Sequence, residues 1–184
     1  MLLNHLDSLK NYNRLFHVSE EPGISTFEPR PSPSHFESIT GDVVFAISGS
    51  LLHNYLLPRD CPRVTYYSTE KTTLADKEKF FGNSAVDNII IVESGWYHRI
   101  KNTTLYCYEF LNEGFSFLDE CAGYYISYKH VVPQSITPVE DIIAELLSRN
   151  IELRFTPSLI KMADDVAKSS LNFSIIRMRN AKVG

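Results

Sequence analysis

The chain has 184 residues, a net charge of -4 and a hydrophobic fraction of 43%. This length favours one domain with a substantial core, and the acidic balance excludes a general nucleic-acid coating protein. We therefore expect a single domain over residues 1–184, with residues 1–13 as a helical extension suggested by the leucine spacing at Leu2, Leu6 and Leu9.

The three cysteines, Cys61, Cys107 and Cys121, include no C-x-x-C pair. This excludes a four-ligand zinc site and a secreted disulfide scaffold. The N-terminus does not match a signal peptide, and no apolar run approaches the length of a membrane span. We therefore expect a cytoplasmic protein with no membrane association.

Short β-type runs dominate the first two thirds of the chain. The residues that favour strands lie at 15–19, 42–48, 63–68, 88–94, 104–111 and 123–133. A proline-rich loop separates the first two runs. Residues 48–57 and 71–82 predict short helices, the second closed by Gly82. The segment between the strands at 88–94 and 104–111 is expected to be a connector.

Helical signals are clearest in the last third. The residues from Thr137 to Glu140 match a capping box before an apolar stripe that ends near Asn150. Residues 151–155 and 174–180 predict strands, and a second helix is expected to begin at Thr156-Pro157. Strands first and helices later, without regular βαβ alternation, predict an α+β fold.

Few side chains suggest chemistry. In the strand L-F-H-V-S, alternation puts His17 and Ser19 on one face, where they can hydrogen-bond a ligand hydroxyl. The alternative is a half-buried histidine bonded to a backbone carbonyl. The loop P-R-D-C-P-R carries Arg59 and Arg63, which with Arg30 predict an anion clamp. A loop salt bridge with a buried Cys61 is the competing interpretation.

Two motifs resemble a known superfamily. The run from His17-Val18-Ser19 through Phe27 and Arg30 to Val44-Phe45-Ala46, and the later Gly123-Tyr124-Tyr125-Ile126-Ser127, resemble the early and late strands of ADP-ribosyltransferase-like domains. The chain also looks like an uncharacterised bacterial family of this layout that shares P-R-D-C-P-R. The resemblance implies a mixed sheet in which the histidine binds the ribose of NAD.

The resemblance assigns NAD, or a related phosphorylated nucleotide, to His17, Ser19, Arg30, Tyr55 and Arg59. His17 and Tyr124 take the catalytic positions, with Tyr124 facing the same cleft as His17. The transferases carry a glutamate where this chain has Tyr124, which is neutral at pH 7 and cannot stabilise an oxocarbenium-like transition state. Glu120 is a candidate substitute.

This pattern is compatible with two outcomes. One is a domain that binds the nucleotide without transferring ADP-ribose. The other is an active enzyme, including one that uses arginine and histidine in a phosphotransferase-like route. Two other functions remain open. One is a regulatory domain that binds a partner protein through its tyrosines. The other is a hydrolase or metal-dependent enzyme on an unrelated α+β fold, with ligands drawn from His17, His53, Asp60 and Cys61, although no ligand spacing supports such a site.

Overall fold

The computed structural model describes residues 14–32, 36–119 and 122–182. The helix expected within residues 1–13 and the alternative residue Glu120 lie outside the described residues. Strands form two sheets and predominate before residue 140, which confirms the predicted α+β class.

The strands within these ranges are β1 (Leu15–Ser19), β2 (Val44–Ser48), β3 (Arg63–Tyr67), β4 (Asn88–Glu93), β5 (Leu105–Phe110), β6 (Ser116–Asp119), β7 (Tyr124–Ser127), β8 (Ser135–Val139), β9 (Ile151–Thr156) and β10 (Asn172–Ile176). The helices are α1 (Leu74–Phe81), α2 (Tyr97–Lys101), α3 (Ile142–Ser148) and α4 (Ile160–Ala167). Residues Gly49–Tyr55 form a 3-10 helix where a short helix is predicted.

The chain divides into two compact units, each made of two stretches of sequence. The first, here called the six-stranded unit, falls within Met1–Leu52 and Leu105–Val139. The second, the four-stranded unit, falls within His53–Thr104 and Glu140–Gly184. Because each unit is discontinuous in sequence, no linker in the sequence marks the boundary.

The six-stranded unit is an antiparallel sheet in the order β6-β7-β2-β1-β5-β8. Its core lies on one face, where aromatic side chains of β5 pack with Phe27 from the proline-rich loop. The Phe27 backbone is held by two hydrogen bonds to Val131, of 2.8 and 2.9 Å. The loop is therefore anchored over the sheet.

The four-stranded unit has the order β10-β3-β4-β9, with β4 and β9 parallel. Alternate residues of β3 and β4, including Val64, Tyr66, Ile89 and Ile91, bury one face of this sheet against α1 and α4. Helix α1 lies within the predicted range 71–82 but begins three residues later, at Leu74, because Thr73 is its N-cap and accepts the Asp76 N–H. Gly82 ends the helix with a φ of 56°, as predicted.

Several local predictions are wrong, among them the strand predicted at 174–180, which ends at Ile176 and is followed by a 3-10 helix over Met178–Asn180. Thr137-Pro138 does not cap a helix, because both residues pair with β5 in β8, and helix α3 begins after Asp141, which accepts the Ala144 N–H. Proline is tolerated in β8 because β8 is an edge strand. The predicted connector between β4 and β5 contains helix α2, and the strand predicted at 123–133 ends at Ser127.

Gly123, at the start of β7, meets two constraints that only glycine satisfies. Its φ is +67°, and a β-carbon there would lie 2.6 Å from Ser48 Oγ and 2.9 Å from Leu51 Cδ1. Its carbonyl also accepts the Ser48 N–H at 2.9 Å. The glycine therefore fixes how closely β7 approaches the end of β2.

We predict that Gly123→Ala lowers the free energy of unfolding by roughly 2–5 kcal/mol, since it combines left-handed strain with overpacking. Gly114→Ala is the matched control, because Gly114 has a φ of +84° with no atom near its β-carbon position. Urea unfolding of both variants separates the cost of the left-handed conformation, which both share, from the cost of overpacking, which only Gly123→Ala has. Equal losses in the two variants would contradict the contact with Ser48 and Leu51.

Candidate functional site

His17 lies where strands β1 and β2 stop pairing. The two strands share the register pairs Leu15↔Ser48 and Phe16↔Ile47, whereas β1 pairs with β5 along its full length. Beyond Phe16, the His17 ring reaches across, and its Nδ1 lies 3.1 Å from the carbonyl oxygen of Phe45. Where the backbone pairing of β1 with β2 ends, a side chain therefore supplies the hydrogen bond to the β2 carbonyl.

This contact determines the tautomer of His17. A carbonyl oxygen can only accept, so Nδ1 donates the hydrogen. In the neutral ring Nε2 is then the acceptor nitrogen. The backbone of β2 therefore orients the His17 ring and makes Nε2 a hydrogen-bond acceptor.

The His17 ring borders the apolar core without being sealed inside it. Its centroid lies 4.8 Å from that of Phe27, and the residue is half-buried. Ser19, two residues further along the same face, accepts the Glu21 N–H at 3.0 Å. The structure therefore keeps His17 and Ser19 together on one face, as the alternation predicts.

Tyr124 lies on the opposite face of the same sheet. The register pairs Phe16 with Ile47 and Ile47 with Tyr124, so these three side chains share a face. His17 follows Phe16 in β1 and points the other way. The expectation that Tyr124 faces the same cleft as His17 is therefore wrong.

Arg30 is grouped with Tyr124. Its backbone exchanges two hydrogen bonds with Val43, of 3.1 and 2.9 Å, so the side chains of this pair share a face. That is the face of Phe45, whose ring packs edge-on against Tyr124 with centroids 5.9 Å apart. Phe36 completes this aromatic group, with centroids 6.2 Å from both other rings.

Tyr55 and Arg59 belong to the four-stranded unit. The Arg63 guanidinium lies 5.5 Å from the centroid of the Tyr55 ring. Arg59 is exposed at the tip of the P-R-D-C-P-R loop. Within the six-stranded unit, the predicted site residues lie on two faces, His17 with Ser19 on one and Arg30 with Tyr124 on the other.

Arg63 is not part of an anion clamp. Only 2% of the residue is exposed, and its guanidinium donates to the carbonyl oxygens of Asn54, Pro58 and Cys61 at 3.0, 3.4 and 3.0 Å. Those bonds bind the charge to the backbone of its own loop. The role of Arg63 is to shape the P-R-D-C-P-R segment.

Two of the residues proposed for metal or nucleophilic chemistry, Cys61 and His53, are buried, and burial favours the neutral form of each. Burial raises the pKa of the Cys61 thiol to about 12, against the opposing effect of the Arg63 guanidinium. Burial, with a smaller contribution from Arg149, lowers the pKa of His53 to about 4. Among the residues that the structure describes, no three His, Cys, Asp or Glu side chains are arranged to hold a metal ion.

Comparison with known proteins decides the family. A model of a family of unknown function, DUF6886, matches residues 16–181. The chain belongs to this family. No curated protein and no solved structure gives a significant match. In the described part of this DUF6886 protein, no helix has both the length and the apolar composition needed to cross a membrane.

Two features of this DUF6886 domain were missed by reasoning from the sequence. The structure shows the alternative stated for His17, a half-buried histidine bonded to a backbone carbonyl, but which residue supplies that carbonyl, Phe45, carries no sequence signal. The second feature is Phe27, which packs against the His17 ring. The sequence carried one sign of it, because an aromatic residue inside a proline-rich loop must pack against other residues. The region where β1 and β2 separate follows only from strand register.

We predict that His53 makes stability depend on pH. The pKa of His53 in the folded state lies below the unfolded value of 6.5. The contribution of neutral His53 to the free energy of unfolding is therefore fully present above pH 6.5, and it is lost as the pH falls towards the folded-state pKa. From about pH 7.5 to about pH 5 the loss should be about 2 kcal/mol.

Urea unfolding at both pH values measures this loss. His53→Gln should flatten the difference between the two pH values, because glutamine does not titrate. The exposed His98, changed to Gln, is the control and should leave the difference unchanged. A His53→Gln protein with the full wild-type pH dependence would contradict the assignment.

Proposed function

We propose that the six-stranded unit binds the ribose of NAD or a related phosphorylated nucleotide through His17, as a binding domain without ADP-ribosyl transfer. The observation that carries this proposal is the His17 Nδ1 bond to the Phe45 carbonyl at 3.1 Å. That bond orients the half-buried ring and fixes the tautomer in which Nε2 is the acceptor nitrogen.

Ser19 supplies the complementary donor. Because its Oγ accepts the Glu21 N–H, the hydroxyl hydrogen is the group that it offers outward. His17 and Ser19 are two residues apart on one strand face, so their α-carbons are separated by roughly 7 Å. An acceptor and a donor at this spacing fit the neighbouring hydroxyls of a ribose, each of which both donates and accepts.

The same face argues against transfer. Its other residues on the surrounding strands are Leu15, Val44, Ala46, Ser48, Tyr106, Tyr108, Phe110, Tyr125 and Ser127, and none of them is acidic. Breaking the bond between the ribose carbon and nicotinamide develops positive charge on the sugar, which a carboxylate stabilises. Tyr124 supplies no such charge and lies on the opposite face.

We predict that NAD and ADP-ribose bind the wild-type protein in isothermal titration calorimetry, and that His17→Ala weakens binding by about tenfold. Tyr124→Phe should change affinity by less than about twofold, because Tyr124 is on the other face. His130→Ala, an exposed histidine of the same unit, is the matched control. Circular dichroism should establish that each variant remains folded.

Nicotinamide release, followed by chromatography, tests the second half of the proposal. No release is expected from wild type or Tyr124→Glu. Release by wild type that disappears in His17→Ala would show an active enzyme and overturn the assignment as a binder. A wild-type protein with no measurable affinity for NAD, ADP-ribose or a 2′-phosphorylated ribose would overturn nucleotide binding altogether.

A further inference from the structure

Two basic segments of the four-stranded unit are joined by side-chain to backbone hydrogen bonds. Arg177 Nε donates to the carbonyl oxygen of Arg59 at 3.1 Å. Asn180 Nδ2 donates to the carbonyl oxygen of Asp60 at 2.8 Å. The tip of the P-R-D-C-P-R loop is thereby fastened to the segment R-M-R-N that follows β10.

Arg177 adopts a backbone conformation that an arginine rarely takes. Its φ and ψ are 57° and 28°, in the left-handed region. Such a conformation costs roughly 1–2 kcal/mol for a residue with a β-carbon. Glycine or asparagine would fit the turn with less strain, so the turn geometry alone does not explain an arginine here. Strained residues of this kind are concentrated at functional sites.

The joined segments concentrate positive charge on an acidic protein. Arg59, Arg179 and Lys182 are exposed and Arg177 is half-buried, while Asp60 is the carboxylate within the two segments. The whole chain carries a net charge of -4. A local excess of cations on such a background attracts anions to this place rather than to the surface in general.

The arginines are held in place before any ligand arrives. The Arg59 loop is braced from inside by Arg63, which donates to two of its carbonyl oxygens and to a third, that of Asn54, in the preceding 3-10 helix. The planar Arg177 guanidinium is oriented by its Nε bond to the Arg59 carbonyl, which leaves its Nη groups as further donors. Groups that are already ordered lose less entropy when they bind a ligand.

We propose that Arg59, Arg177 and Arg179 form a binding site for the phosphate group of a small phosphorylated ligand. Guanidinium forks match the spacing of phosphate oxygens, and several cations favour a doubly charged anion over a carboxylate. The patch is small and the protein is acidic, which favours a small ligand over a nucleic-acid backbone. This site uses none of the His17 contacts and stands independently of the nucleotide proposal.

Calorimetric titration with inorganic phosphate, AMP and ADP-ribose tests this site in a protein that also carries His17→Ala, so that nucleotide binding in the six-stranded unit does not contribute. Arg177→Gly should weaken binding of all three by at least about tenfold, because the oriented guanidinium is removed. The same substitution relieves the left-handed strain, so the variant is expected to fold. Lys168→Gln removes one exposed charge elsewhere in the unit and should change affinity by less than about twofold.

AMP binding tighter than inorganic phosphate would support the site and identify a nucleotide as the source of the phosphate. Equal affinities would support the site and identify free phosphate. His17→Ala should leave phosphate binding unchanged, which separates this test from that of the nucleotide proposal. If Arg177→Gly and Lys168→Gln weakened phosphate binding equally, the phosphate site would be overturned, because the attraction would then come from diffuse charge.

Two further results would also overturn the site. One is the absence of saturable binding of both phosphate and AMP to the wild-type protein. The other is a short single-stranded oligonucleotide that binds far more tightly than AMP with a steep salt dependence, because that would show a backbone-binding surface instead of a small-ligand site.

Discussion

The hydrogen bond between the His17 ring and the Phe45 carbonyl holds the candidate site together. It sits where the pairing of β1 with β2 ends and replaces a backbone bond with a side-chain bond. A carbonyl left without a donor beneath Phe27 would carry a desolvation cost of roughly 1–3 kcal/mol. One contact therefore completes the sheet, fixes the histidine tautomer and presents an acceptor beside Ser19.

The four-stranded unit stabilises buried charge with backbone groups. Arg63 donates to two carbonyl oxygens of its loop and to the Asn54 carbonyl of the 3-10 helix before it. Glu93, of which 5% is exposed, accepts the Leu159 N–H at 3.2 Å and the Lys182 N–H at 2.9 Å. Charge-assisted bonds of this kind are stronger than neutral ones and offset the cost of burial. Each of these charged residues hydrogen-bonds main-chain groups of an irregular segment that forms no strand pairing of its own.

The Glu93 contact also explains an error in the predicted boundaries. A threonine and proline at 156–157 match a local helix start, yet α4 begins at Ile160, and its N-cap residue, Leu159, has no side-chain cap bond. The carboxylate of a residue 66 positions earlier accepts the N–H at that helix end. Local capping patterns cannot detect a partner so distant in the sequence.

The two proposals differ in the kind of group that contacts a ligand. In the six-stranded unit a neutral ring nitrogen and a hydroxyl offer a matched acceptor and donor, which suits a sugar. In the four-stranded unit guanidinium groups offer charge and fork geometry, which suits a phosphate. His17→Ala removes the ring nitrogen and leaves the arginines intact, whereas Arg177→Gly removes a guanidinium and leaves His17 intact. Each proposal can therefore be tested by its own substitution.

The sequence by itself determined the α+β class, the bounds of β1, the end of α1 at Gly82, and the shared face of His17 and Ser19. These depend on interactions within a few residues, such as alternation in β1 or the Thr73 and Gly82 caps. Tertiary structure decided that Tyr124 opposes His17, that Thr137-Pro138 is an edge strand and that Arg63 serves its own loop. Strand register and long-range partners set those outcomes, because a shift of one residue reverses every side chain in a strand and no local pattern specifies it.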